Sequence, residues 1–184
     1  MSDNFDFLDL INKRQSERNY LNKPVDREKI KRCIEAARLA PSACNSQPWK
    51  FIIVDDPDLK NAVAEETSST LLPLNHFTKQ APVFIIVVKE KPKLTSTIGA
   101  RIKDKDFSII DIGIATGYLC LQAVAEGLGT CILGWFNEKN VKNLLKVPQS
   151  KRVELIITLG YPVSEKRLKK RKFLDQIISY NSYS

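Results

Sequence analysis

Histidine, methionine and adjacent cysteines are what this sequence has least of, and each shortage excludes a class of chemistry. There is one histidine, His76, and the four cysteines, Cys33, Cys44, Cys120 and Cys131, never stand as a CxxC pair. The ligand set of a zinc site is therefore missing, no metal is expected, and the thiols read as reduced and mostly buried. His76 has no catalytic partner close to it in sequence, so it reads as a surface or pocket-rim residue. Long apolar runs are absent too: the longest clean one covers residues 83–88, far too few to cross a bilayer. No charged stretch followed by an apolar one opens the chain. Neither secretion nor membrane insertion is expected, and the default compartment is the cytoplasm.

The net charge of +8 comes without a helix-turn-helix, an RNP aromatic pattern or zinc-finger spacing. It reads as a site for a phosphate-bearing cofactor or dinucleotide before it reads as a nucleic-acid surface. A dinucleotide fingerprint is also lacking. Gly127-Leu128-Gly129 ends a helix where that motif would open one.

What is present describes one folded domain over residues 1–184, with 43% hydrophobic and 27% charged residues and enough chain for a substantial core. Asp3 or Asn4 is expected to cap a first helix carrying Phe5, Leu8 and Ile11, with Arg14 at its end. Asp26 caps a second, with Ile30, Cys33, Ile34 and Ala37 inward and Pro41 as the stop. Asp56-Pro57 opens a third, residues 106–126 form the longest, and Asn137 caps one that Pro148 ends. Strands are expected over 50–54, 82–88, 130–135 and 153–160, with 67–81 irregular and 89–105 a polar connection. Alternation of helix and strand by itself would give a doubly wound parallel sheet. The longest helix is apolar nearly all round, which predicts burial on most sides, and Gly113 and Gly117 permit close helix packing across a subunit boundary.

One junction stands out. Residues 41–51, PSACNSQPWKF, place two prolines, two serines, an asparagine, a glutamine and a tryptophan between a helix and a strand. Pro41 and Pro48 hold its ends, and its amides and hydroxyls suit a planar heterocycle with mixed donor and acceptor edges. A self-satisfying turn with Trp49 in the core is the plainer account of the same residues.

Together with KRQSER at 13–18, this junction resembles the FMN-dependent nitroreductase family. The likeness continues through GLGTCILGW at 127–135, ELIITLGYP at 154–162 and the basic KKR at 169–171. It implies an α+β sandwich, a mainly antiparallel sheet flanked by helices, in a homodimer whose C-terminal arm, from about residue 163 to 184, crosses to the partner. It implies FMN as cofactor, with Arg14, Gln15, Ser16 and Arg18 forming its first contacts: Arg14 on the phosphate, Ser16 near it, Arg18 by the N1/O2 edge. Gln15 stands where a basic residue is common, and Lys169 and Arg171 match a C-terminal basic pair able to replace it. Pro41, Ser42, Asn45 and Gln47 match a segment that reaches the flavin of the other subunit, and Leu133 and Gly134 one near the dimethylbenzene or N5 side.

The activity implied is an NAD(P)H-dependent flavin oxidoreductase working by ping-pong: NADH or NADPH reduces the flavin, which then reduces a nitroaromatic, quinone or related acceptor. No catalytic side chain is required. A non-catalytic flavin-binding or sensing protein on the same fold is the alternative, and neither nucleic acid nor membrane is an expected partner.

Overall fold

Val83–Lys89 (β2) is the strand on which the fold is built, and every residue of it except Lys89 is buried. Side chains alternate across a strand. Val83, Ile85 and Val87 therefore enter one core, and Phe84, Ile86 and Val88 the other. A strand apolar on both sides needs cover on both faces. Helices α2 (Arg27–Arg38) and α4 (Phe107–Ala125) supply it on the first face. Helices α3 (Pro57–Thr67) and α5 (Glu138–Leu144) supply it on the second. The computed structural model describes residues 6–68, 74–91, 105–163 and 165–183.

The sheet holds β1 (Trp49–Val54), β2, β3 (Gly129–Leu133) and β4 (Arg152–Gly160) in the order β1-β2-β4-β3, and every pairing is antiparallel. The architecture is thus the α+β sandwich and not the doubly wound sheet that alternation alone suggests. β2 and β3 do run parallel on either side of α4, but β4 is inserted between them with the opposite direction.

The short first helix, α1 (Phe7–Lys13), begins later than expected because Asp6 caps it, accepting the Leu8 N–H at 2.9 Å; Asp3 and Asn4 lie outside the described residues. β1 is less buried than expected, with only Val54 fully inside, because it is an edge strand. β3 stops at Leu133, two residues early. There the chain turns toward α3, where the Asn75 amide donates to the Trp135 carbonyl at 3.2 Å and the Asn137 N–H to that of Glu66 at 2.8 Å. Residues 67–81 contain the end of α3 and a 3₁₀ turn, His76–Gln80, joined by a buried Thr67–Thr78 hydroxyl bond of 2.8 Å. Most of 89–105 lies outside the described residues.

α4 is the longest helix, as expected, and its burial within the chain is one-sided. It is long and apolar enough to span a membrane by length and composition, yet one side of it is packed against α2 and the sheet. Its other side leaves Ile109, Ile110 and Tyr118 between 44% and 53% exposed. Among the described residues a Cβ at Gly113 or Gly117 would meet nothing within 4 Å, so no contact among them requires either glycine.

Beside β3 the chain from Ser16 to Tyr20 runs as a short extra lane. Ser16 bridges Thr130 in parallel, Tyr20 bridges Pro162, and the Glu17 N–H donates to the Thr130 carbonyl at 2.9 Å. Gly129 and Gly160, paired in the register, make room for it. A Cβ on Gly129 would lie 2.3 Å from Cγ of Glu17; one on Gly160 would lie 2.6 Å from Cδ of Pro82 and 2.9 Å from Cδ1 of Tyr20.

Candidate functional site

That lane fixes one wall of a cleft of about 310 Å³ lined by Arg14, Gln15, Ser16, Arg18, Arg167, Leu168, Lys169, Lys170 and Arg171, with no acid among them. Arg14 is the C-cap of α1, where a cation complements the helix dipole. The opposite wall is the C-terminal segment, tied to the first by charge-assisted hydrogen bonds. Lys169 Nζ donates to the Ile11 carbonyl, in the last turn of α1, and the Arg167 guanidinium to the Ser16 carbonyl.

The cations repel one another. The Lys169 ammonium is held below the ordinary lysine value, first by burial and then by the charges of Arg14, Arg171 and Lys166. An anion between them would relieve that repulsion, so the donor set fits a phosphate. Under the cleft, burial pushes the Cys131 thiol up, against the opposing pull of Arg18, Ser16, Arg167 and Arg14.

The 41–47 loop lies elsewhere. Its residues do not line the cation cleft, although Arg14, Gln15, Ser16, Arg18, Lys169 and Arg171 all do. Cys44, Asn45 and Gln47 have φ of 52°, 51° and 48°, the left-handed region that side chains disfavour. Besides backbone turns, side-chain bonds hold this conformation: Ser42 Oγ accepts the Gln47 N–H at 2.9 Å, Gln47 Nε2 donates to Asn45 Oδ1 at 2.9 Å, and the Asp111 carboxylate accepts the Ala43 N–H at 3.1 and 3.2 Å. Cys44, Asn45 and Gln47 are exposed, so the loop's polar edge faces away from its own chain. Trp49 is partly buried against the core beneath it. Leu133 ends β3 buried and Gly134 follows it exposed; among the described residues a Cβ at Gly134 would meet nothing within 4 Å.

A family model described as the nitroreductase family matches residues 11–161. The chain belongs to the nitroreductase family. It is accordingly an oxidoreductase. An Archaeoglobus fulgidus protein with the provisional name NADH dehydrogenase/NAD(P)H nitroreductase is 33% identical over 164 residues, covering 86% of this chain and 87% of that one. An iodotyrosine deiodinase from Thermotoga neapolitana is 29% identical over 189 residues, covering 95% and 97%. Among solved structures, an FMN-dependent nitroreductase from Clostridium difficile superposes with a TM-score of 0.79 at 29% identity, covering 96% of this chain and 100% of that one.

In this nitroreductase-family chain two residues of the site escape sequence reasoning. Arg167 is one cation of six in residues 166–172, and nothing in the run marks which of them face inward. Asp111 left a usable signal: it is the single charged residue within Phe107–Ala125. It is 5% exposed, and an acid in so apolar a helix needs a partner.

Among the described residues no group of His, Cys, Asp and Glu is placed to hold a metal. His76 is exposed on its 3₁₀ turn, and the buried thiols of Cys33, Cys120 and Cys131 contrast with exposed Cys44.

Proposed function

We propose that the chain is an FMN-dependent, NAD(P)H-oxidising reductase whose cation cleft holds the phosphate of the flavin. The observation that carries this reading is the cleft itself: six arginine and lysine residues at 14, 18, 167, 169, 170 and 171 around one space, with Lys169 depressed by burial and then by its charged neighbours. Bound there, FMN would take a hydride from NADH or NADPH and pass reducing equivalents to a nitroaromatic, quinone or related acceptor.

The side chains bind and orient. Arg14, Lys169 and Arg171 neutralise the phosphate, with Ser16 beside it. Arg18 approaches the N1/O2 edge, where a cation favours the reduced ring. Pro41, Ser42, Asn45 and Gln47 present their outward edge to the pyrimidine of a flavin held by a second copy, and backbone groups at Leu133 and Gly134 approach the other end of the ring. No side-chain nucleophile takes part.

The homodimer in this reading rests on α4 and on the tail. Ile109, Ile110 and Tyr118 beside two glycines form a bare apolar stripe suited to a second copy of the helix. Phe173, Leu174, Ile177 and Ile178 are also exposed, as an arm leaving its own subunit would be. β1 pairs on one side only among the described residues, so its outer edge is open to an incoming strand. The relatives include proteins named for different acceptors, a deiodinase and NAD(P)H nitroreductases. Acceptor choice is accordingly assigned to what covers the ring, not to the phosphate cleft.

The test is the visible spectrum of the purified protein, with and without added FMN, before and after anaerobic NADH or NADPH. Flavin bands that bleach, and return with a quinone or nitroaromatic, are the expected result. Bound flavin that neither nucleotide bleaches would favour the non-catalytic role. A protein that takes up no FMN overturns the reading.

A further inference from the structure

We infer that Gln15 does not bind the phosphate but anchors Arg167, a residue of the C-terminal segment, as an added phosphate cation. The inference rests on the FMN reading of the cleft and concerns which residues hold the anion there.

A glutamine amide has two N–H donors and one carbonyl. In Gln15 the donors are committed: Nε2 gives one bond to Glu17 Oε1 at 2.7 Å and one to the Glu165 carbonyl at 3.1 Å. Oε1 accepts the Arg167 N–H at 3.0 Å. Phosphate oxygens at neutral pH chiefly accept hydrogen bonds. An amide with no hydrogen left to give contributes nothing to such a ligand.

The orientation of the amide is also fixed. Glu17 is 5% exposed, packed where Gly129 leaves room, and beside it the Glu165 carbonyl can only accept, while the Arg167 N–H can only donate. Nε2 must therefore face the Glu165 carbonyl and Glu17, which turns Oε1 toward Arg167. The Arg167 guanidinium then bonds the Ser16 carbonyl and stands in the cleft with Arg14 and Lys169. One end of the Gln15 amide holds a buried acid, and the other holds the backbone of an arginine some 150 residues away in sequence.

Gln15 and Arg167 are thus one unit, and the decisive experiment is a double-mutant cycle on flavin affinity, read by fluorescence quenching with FMN and with riboflavin, which lacks the phosphate. Arg167→Ala is expected to weaken FMN about ten- to a hundredfold, the range of a charge-assisted hydrogen bond, and to leave riboflavin unchanged. Gln15→Ala should lose a similar factor, again for FMN only, and the double variant should be no weaker than Arg167→Ala. Losses that multiply would mean that Gln15 meets the phosphate on its own, and equal losses for FMN and riboflavin would mean a merely structural role; either overturns the proposal. Tryptic cleavage within residues 166–172, measured without flavin, should rise in Gln15→Ala. Unchanged cleavage also counts against the anchor. If the unmodified protein binds neither flavin, the FMN reading fails, while the cleavage comparison still decides whether Gln15 holds this segment.

Discussion

Asp111 carries more of the site than its place in an apolar helix announces. Its buried carboxylate takes the Ala43 N–H and thereby holds a loop in which three non-glycine residues adopt left-handed backbone. Such residues cost of order 1 kcal/mol each and persist only where their surroundings impose them. Asp111→Ala leaves the Ala43 N–H without this acceptor and is expected to cost about 1.5–3 kcal/mol, measured by denaturant unfolding. It should also weaken FMN, because the loop relaxes. Asp111→Asn, which keeps a carbonyl acceptor, should recover part of both losses. An Asp111→Ala protein with unaltered FMN affinity would separate the loop from the cofactor.

Among the elements, α2 and α4 are joined by a link whose pH dependence follows from its charges. Arg32 donates to both Glu126 carboxylate oxygens at 2.7 Å, and Gln122 adds a bond of 2.9 Å. The Arg32 contact, first among these, holds the Glu126 carboxyl at about 2 against an ordinary 4.5. A carboxyl depressed on folding stabilises above its unfolded value and loses that contribution as pH falls through the folded one. Thermal unfolding of Arg32→Ala against the unmodified chain should therefore show a difference at neutral pH that shrinks between about 4.5 and about 2. A difference constant across that range would remove Glu126 from the account.

Most element boundaries made by a side chain were legible, although Asp6 and not Asp3 or Asn4 caps α1. Asp26, Asp56 and Asn137 cap the helices that their positions predict, Asp106 caps the helix it was expected to begin, and Gly127 closes α4 at φ 73°. Boundaries made by tertiary contact were not legible. β3 ends at Leu133 because Asn75 and Glu66, distant in sequence, draw the chain away, and no residue near 133 encodes that.

For the whole molecule, the apolar stripe on α4 and the exposed tail predict a dimer, seen as twice 20.9 kDa in light scattering. Ile110→Glu places a charge at the centre of the stripe and should give a monomer that binds FMN more weakly, because the 41–47 loop then serves no second subunit. A monomer with full affinity would return the whole flavin site to one chain.

The sequence by itself determined the family, the helix caps at Asp26, Asp56 and Asn137, the two-sided apolar strand at 83–88 and the basic residues at each end of the candidate site, because these are written in local chemistry and spacing. Tertiary structure decided the rest. It set the antiparallel insertion of β4 between β2 and β3, the turning of Arg167, Lys169, Lys170 and Arg171 into the cleft from a run of six cations, and the use of Asp111 to clamp a loop 68 residues earlier. Each of these depends on which distant groups meet. A buried amide or carboxylate chooses its partner by geometry and desolvation, and neither exists until the chain has folded.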